Sequence, residues 1–221
     1  VPGDPKDDPI VATGLAAKPL APRASLPTLL MASQAMDLAW PVLVATGVER
    51  AHVERGHLAA SPLVLEYMPY SHSLVAALGW ALLFALGYLA LTRDRRGALV
   101  SAGLVVAHWF LDWASHGADV QVTPGGARYG LGLWRSVPGT LAVELAMFAL
   151  GALIYTRATR ATGPLGRWGW PALAGLLAVA FVITTLGPPP PSIDALLAAM
   201  GAMLVIVLAA SIAIDRQRPA R

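Results

Sequence analysis

The stretch of sequence that decides the fold class is YSHSLVAALGWALLFALGYLAL, residues 70–91. From Leu74 to Leu91 it contains no charged residue, and an α-helix needs about 20 mainly apolar residues to cross a bilayer. Hydrocarbon offers no hydrogen-bond partner to open backbone groups, so such a span must be helical. The stretch therefore predicts a membrane helix that begins in a short polar segment containing His72.

The composition of the whole chain agrees with a membrane protein. Of 221 residues, 56% are hydrophobic and 13% are charged, and the mean hydropathy is +0.60. A soluble globular domain does not show these values. The formal net charge is +3, but the basic residues lie in short connections between apolar runs, so we expect the lipid bilayer as the partner and no nucleic acid. The chain has no cysteine, so any metal site must use nitrogen and oxygen ligands.

Six apolar runs of suitable length predict an all-α fold, a polytopic transmembrane helix bundle. We expect a transmembrane helical domain over residues 26–214, an N-terminal segment over 1–25 and a tail over 215–221. Pro41 predicts a kink in the first span. The predicted spans are about 26–48, 70–91, 97–117, 137–157, 168–187 and 192–214.

The distribution of Lys and Arg predicts the orientation of these spans. With six spans both termini share one side, which carries twelve of the 16 Lys and Arg residues; the loops 49–69 and 118–136 carry four. By the positive-inside rule, we expect a multi-pass protein with both termini in the cytoplasm and these two loops outside.

Apart from Asp194, which is most simply a helix cap at the start of the sixth span, and Arg157 at the end of the fourth, six ionisable residues lie within or at the start of the predicted spans. Each charge there costs roughly 2.5–3.5 kcal/mol on insertion scales. Such a cost indicates a partner or a function for each of them. In HWFLDWASH, residues 108–116, a four-residue spacing places three of the six on one helix face. With the predicted orientation, most of the six lie in the outer half of the membrane. They are Asp37, His72, His108, Asp112, His116 and Glu144.

Histidine and carboxylate ligands together suit zinc, manganese or iron. We predict a site for a divalent transition metal, formed by Asp37, His72, His108, Asp112 and His116. His108 and His116 are about 12 Å apart along the helix axis, so an alternative is that Asp112 bridges two ions. Two other interpretations stay open: a buried ion-pair or hydrogen-bond network that ties the helices together, and a haem held by two histidines.

The residues around His72 provide further candidates. Pro69 and Ser71 resemble a helix start, which would place His72 in the first turn, where the positive end of the helix keeps the imidazole neutral. Glu66, just outside this span, and Glu144, in the fourth span, are candidate general bases. The polar residues of the 49–69 loop are interpreted as a solvated surface; they are Glu49, His52, Glu54 and His57.

Taken together, these motifs resemble a family of bacterial inner-membrane proteins, the metal-dependent hydrolases related to the LexA-binding membrane proteins. The resemblance covers residues 12–157 and rests on GLAAK at 14–18, PRASL at 22–26, ASQAMDLAWP around Asp37, YSHS around His72, the H-x-x-x-D element from His108 to Asp112, and GLGLWRS at 130–136. Relatives carry a histidine a few residues before GLAAK, whereas Ile10 stands at that place here. The resemblance implies a location in the bacterial inner (cytoplasmic) membrane and a hydrolase site of Asp37, His72, His108 and Asp112, with His116 nearby.

These observations predict an integral membrane protein with an outward-facing His/Asp cluster. A bound ion would activate water there on a lipid-like or phosphoester substrate. The alternative is a non-enzymatic subunit of a larger membrane complex, whose polar cluster fixes the bundle. In that case the last two spans, which carry few polar groups, would pack against other membrane subunits.

Overall fold

The computed structural model describes residues 8–221 and, within that range, contains eight α-helices and two short β-hairpins. This confirms the prediction of an all-α, polytopic helix bundle. The helices are α1 Asp8–Ala16, α2 Leu26–Ser33, α3 Ala35–Ala45, α4 Leu74–Thr92, α5 Arg95–Ser115, α6 Val137–Ala158, α7 Trp170–Leu186 and α8 Ile193–Asp215. The strands are β1 Arg50–Val53, β2 Leu63–Tyr67, β3 Val120–Gln121 and β4 Arg128–Tyr129.

Five of these helices are long and apolar enough to cross a membrane: α4, α5, α6, α8, and α7 together with the π-helical turn Leu165–Gly169 that precedes it. The pair α2 and α3 meets the same criteria only as a broken span, bent by 57°. The break lies at Gln34, whereas Pro41 stays within α3. The bend of the first span therefore lies seven residues before Pro41, and the kink expected at Pro41 itself stays a prediction.

Serine residues begin four of the helices. The side chain of each accepts a hydrogen bond from a backbone N–H in the first turn, which satisfies one of the donors that a helix start leaves open. These N-caps are Ser25 for α2, Ser73 for α4, Ser136 for α6 and Ser192 for α8.

Helix α1 lies inside the bundle, between α2, α5, α6 and α7. Its Val11 and Leu15 are buried in the main apolar cluster with Tyr155 and Leu177. Residues 8–16 belong to the segment 1–25 that was expected on the cytoplasmic side, and the structure shows them as a helix packed into the bundle; residues 1–7 of that segment lie outside the described residues. The mixed polar and apolar composition of 1–25 concealed a helix of only nine residues.

The end of α1 is fixed near the end of α8. Lys18 is buried; its Nζ donates a hydrogen bond to the Ala24 carbonyl at 2.7 Å and lies 3.8 Å from Asp215 Oδ1. The same carboxylate oxygen accepts the backbone N–H of Leu26 at 2.9 Å. One carboxylate thus joins the end of α1, the start of α2 and the end of α8.

The two predicted outer loops contain the hairpins. Strands β1 and β2 pair antiparallel, with Ala51 opposite Leu65, and β3 pairs with β4. Arg128 on β4 donates hydrogen bonds to the carbonyls of Leu65 and Glu66 on β2, so the hairpins hold each other. They cover the end of the bundle at which the candidate site lies.

Candidate metal centre

The break between α2 and α3 prepares two groups of the site. Asp37 lies in the first turn of α3. Ser33 is the last residue of α2. Because the helix is interrupted there, the Ser33 carbonyl is free to accept a hydrogen bond from a group outside the helix. That carbonyl accepts a hydrogen bond from Nδ1 of His108 at 2.7 Å. One irregularity thus positions a carboxylate and orients a histidine ring.

Helix α5 contributes His108 and Asp112 on one inward face. A spacing of four residues places the two side chains one turn apart on the same side of the helix. His108 is fully buried and Asp112 is 4% exposed, whereas Phe110 between them is 52% exposed and faces outward. The ionisable side chains therefore point into the bundle and the aromatic ring faces its surroundings.

His72 is held by a chain of hydrogen bonds that begins at Glu49. The Glu49 carboxylate accepts the backbone N–H groups of Tyr70 and Ser71, both at 2.8 Å, and the Ser71 hydroxyl at 2.5 Å. Because Ser71 donates its only hydroxyl hydrogen to Glu49, its oxygen accepts from Nδ1 of His72, at 2.7 Å. The predicted helix start was wrong in one respect: the N-cap is Ser73, so His72 precedes α4 instead of lying in its first turn.

His116 follows the last residue of α5 and has its own carboxylate partner. Its Nδ1 donates to Asp119 Oδ1 at 3.2 Å, and its ring lies against Trp134 with a centroid distance of 4.2 Å. Burial alone would raise the pKa of Asp119, but the hydrogen bond and the charge of His116 outweigh it and hold that pKa below its usual value. Asp119 is thus an ionised partner that fixes which ring nitrogen of His116 carries hydrogen.

The remaining imidazole nitrogens of His72 and His108 converge on Asp37. His72 Nε2 is 3.2 Å from Asp37 Oδ1, and His108 Nε2 is 3.5 Å from Asp37 Oδ2. One ligand atom from each of these three residues lies within 4.8 Å of the other two. Ligands about 2.0–2.2 Å from a tetrahedral zinc ion are separated by about 3.3–3.6 Å, so this triad suits a single ion.

Asp112 stands between the triad and His116. Its Oδ2 is 3.4 Å from His108 Nε2 and 3.8 Å from His72 Nε2, while its Oδ1 is 3.8 Å from His116 Nε2. The two oxygens of one carboxylate therefore face different histidines. This is the arrangement that the bridging alternative requires.

The centre of the cluster requires positive charge. His72 and His108 donate from Nδ1 to acceptors outside the cluster, so Nε2 of each neutral ring carries a lone pair that faces carboxylate oxygen. Within residues 8–221, His108 Nε2 and Asp112 Oδ2 are buried and have no hydrogen-bond partner, which is costly in a dry interior. A divalent ion would satisfy both atoms and balance the two aspartates, and acceptors behind the ligand histidines are typical of metal sites. A haem between His72 and His108 does not fit, because Asp37 contacts both Nε2 atoms.

A small cavity of about 50 Å³ opens beside the cluster, which is enough space for water. Asp37, His72, Asp112 and His116 all line it. Ile10 from α1 lines it as well, so the position at which the resemblance expects a histidine does border the cluster. In this chain that part of the wall is apolar.

The structure brings together five of the seven predicted site residues: Asp37, His72, His108, Asp112 and His116. Glu144 is fully buried, and its Oε1 accepts the indole N–H of Trp134 at 2.9 Å. The Trp134 ring lies against His116 and so connects Glu144 to the cluster. Glu66 is not brought in. Its half-exposed carboxylate is bonded to His52 Nδ1 at 2.6 Å, on the exposed face of the hairpin.

Glu49 and Asp119 are the two residues that the sequence interpretation missed. Glu49 was taken for part of a solvated surface, yet it is only 1% exposed, because three donors at the start of α4 enclose its carboxylate. Its position directly before strand β1 carried no signal of this contact. Asp119 had a signal, since it lies three residues after His116, within reach of one turn.

Comparisons with protein-family models, with curated proteins and with solved structures gave no match to this chain. What the molecule itself shows is a helical membrane-type protein with a buried Asp/His/His group that could hold a metal ion.

Proposed function

We propose that the protein is a metal-dependent hydrolase embedded in the membrane, as its resemblance to the inner-membrane hydrolases implies. The observation that carries the proposal is the triad of Asp37, His72 and His108. Each of its histidines is oriented by a hydrogen bond at Nδ1, and its Nε2 faces carboxylate oxygen. Three protein ligands leave a coordination position open, which is the pattern of catalytic rather than structural zinc sites.

A divalent zinc, manganese or iron ion bound to this triad would supply Lewis acidity and lower the pKa of a water molecule. Asp112 is placed to accept a proton, because its Oδ2 is 3.4 Å from His108 Nε2, a ligand atom of the triad, and because the residue lines the small cavity. His116, oriented by Asp119, lies on the other side of Asp112 and is placed to donate a proton to a leaving group. This assignment replaces Glu66 as the candidate base.

The reaction is the hydrolysis of an ester or phosphoester bond in a lipid-like substrate. Asp112 takes one proton from a water in the cavity as the water oxygen bonds to the carbonyl carbon or phosphorus. The bond to the leaving oxygen breaks, and that oxygen takes a proton from His116. The proton on Asp112 then restores His116, so no other reactant is needed.

Metal analysis of the purified protein tests the proposal. We expect about one divalent transition-metal ion per chain in the wild type. His108→Ala and the shape-conserving Asp37→Asn should both lose it, because each removes a ligand atom of the triad. His57→Ala, in the exposed part of the first outer loop, is the matched control and should keep the ion.

Wild-type protein without a transition metal would overturn the proposal. If stoichiometric membrane subunits then copurified with it, the cluster would be an ion-pair network in a non-enzymatic complex subunit. A metal that all three variants retain would also contradict the triad. Loss of metal in the two triad variants alone supports it.

A further inference from the structure

A second, larger cavity lies beside the polar cluster. It has a volume of about 260 Å³ and runs between the broken helix pair α2–α3 and helix α8, with part of α7 as its floor. Its wall is almost entirely aliphatic, including Leu30, Leu38, Leu177, Leu204 and Val207. A cavity of this kind within the bilayer region suits a hydrocarbon group and not a hydrated one.

The sequence explains why this space exists. The bend of 57° at Gln34 turns α3 away from the line of α2, so α8 cannot pack against both along their length. On α8, Gly201 lines the cavity, and a Cβ at this position would meet nothing within 4 Å. A helix break on one wall and a missing side chain on the other leave room between them.

The two cavities meet at the candidate metal centre. Asp37 and Met200 line both of them, so the aliphatic space ends where the carboxylate of the triad begins. At the rim of the larger cavity, Met31 is 37% exposed and Val42 is 61% exposed, on a helix pair that is long and apolar enough to form a broken membrane span. The space is thus apolar along its length and polar at one end, as an amphiphile is.

One polar group in the aliphatic wall points to the same ligand chemistry. Gln34 lines the larger cavity, and within residues 8–221 its buried Oε1 has no hydrogen-bond partner. An unsatisfied acceptor in an apolar environment is costly, and a hydroxyl or amide hydrogen near the head of a lipid would satisfy it.

We propose that this cavity binds the hydrocarbon chain of a membrane lipid, which enters sideways from the bilayer and brings its ester group to the Asp37 end. The identity of the reacting bond rests on the proposed hydrolase function, but the chain-binding site does not need the ion. The substrate class is therefore a lipid ester with a long alkyl or acyl chain next to the bond that is cleaved.

Photolabelling in liposomes tests this directly. The protein is reconstituted with phosphatidylcholine that carries a diazirine in the middle of one acyl chain, and labelled peptides are mapped by mass spectrometry. We expect labelling concentrated on residues 30–42 and 200–208 relative to the lipid-facing side of α4, where Leu82 and Leu83 are 60% and 62% exposed.

Gly201→Phe places a ring in the larger cavity, at a position that does not line the smaller one, and should lower this labelling about tenfold. Gly175→Phe is the matched control: Gly175 is also an exposed helix glycine whose Cβ would meet nothing within 4 Å, but it does not line the cavity. Its labelling should equal that of the wild type. Uniform labelling of all exposed helix faces, or equal labelling of the two variants, would overturn the inference.

The outcome can be separated from that of the proposed function. Labelling is repeated on chelator-treated protein, where we expect the same pattern because the ion would contact the described wall at Asp37, at one end of the cavity, and not along its aliphatic length. Concentrated labelling in a protein that never contains metal would reject the hydrolase and keep the lipid site. Bound metal with uniform labelling would reject the lipid site and leave the proposed hydrolase function standing.

Discussion

Glu49 controls the site without entering it. Its carboxylate accepts three hydrogen bonds from Tyr70 and Ser71. One of them uses the hydroxyl hydrogen of Ser71, so the Ser71 oxygen can act only as an acceptor, and it accepts from His72 Nδ1. Outer partners of this kind set the tautomer and the orientation of a ligand histidine and increase its basicity. The same role is taken by the Ser33 carbonyl for His108 and by Asp119 for His116.

Glu49→Gln should weaken metal binding about 10- to 100-fold, which is typical for the loss of such an outer partner. The amide oxygen can replace Oε1, which accepts both backbone N–H groups, but the NH₂ group then replaces Oε2 and faces the Ser71 hydroxyl as a donor. The Ser71 hydroxyl would therefore turn and release His72. A competition titration against a chromophoric chelator measures the affinity. Glu54→Gln, an exposed carboxylate in the same loop, should leave it unchanged. Equal affinities for wild type and Glu49→Gln would show that the orientation of His72 does not depend on Glu49.

At the scale of the elements, the site depends on the close approach of α1 to α2. A Cβ on Gly14 would lie 2.9 Å from both the Leu29 carbonyl oxygen and Ser33 Oγ, a distance that real side chains do not adopt. Ser33 is also the residue whose carbonyl orients His108. Small residues at helix contacts of this kind are typical of membrane proteins, because van der Waals packing replaces the hydrophobic effect as the force between helices.

Gly14→Ala should therefore destabilise the protein by about 1–3 kcal/mol, since the added methyl forces backbone atoms apart. For a chain of this length, that corresponds to a fall in Tm of roughly 2–12 °C in a detergent melt. Gly103→Ala on α5 is the matched control: a Cβ there meets nothing within 4 Å. The better helix propensity of alanine should keep its Tm equal or raise it. A Gly14→Ala protein as stable as Gly103→Ala would show that α1 is not held in this contact.

At the scale of the whole molecule, the sequence predicted the features that the bilayer imposes, such as long apolar helices. It did not predict the features that depend on irregular backbone, such as helix breaks and loop conformations. The long spans follow from the need for about 20 apolar residues, and the inward-facing His108 and Asp112 follow from the cost of charge in hydrocarbon. Neither rule describes α1, which is too short to be seen as a span, or the break at Gln34. The burial of Glu49 was not predicted for the same reason, since it depends on how a hairpin folds back over the start of α4.

Membrane orientation is the property that decides which compartment supplies water to the site. The cluster lies at the hairpin end of the bundle, where Ser61 and Trp134 from the two loops line its cavity. Twelve of the 16 Lys and Arg residues belong to the opposite side in the six-span arrangement. Because basic residues are retained in the cytoplasm during insertion, we predict that the hairpins and the cluster face outward.

Single cysteines in the otherwise cysteine-free chain test this orientation. Val122→Cys lies in the second outer loop, where Val122 is 40% exposed, and Ala161→Cys lies between α6 and α7, at another exposed position. In intact spheroplasts of a bacterial host, a membrane-impermeant maleimide should label Val122→Cys at once, whereas Ala161→Cys should react only after lysis. The opposite pattern would place the hairpins in the cytoplasm, and the site would then draw its water from that side.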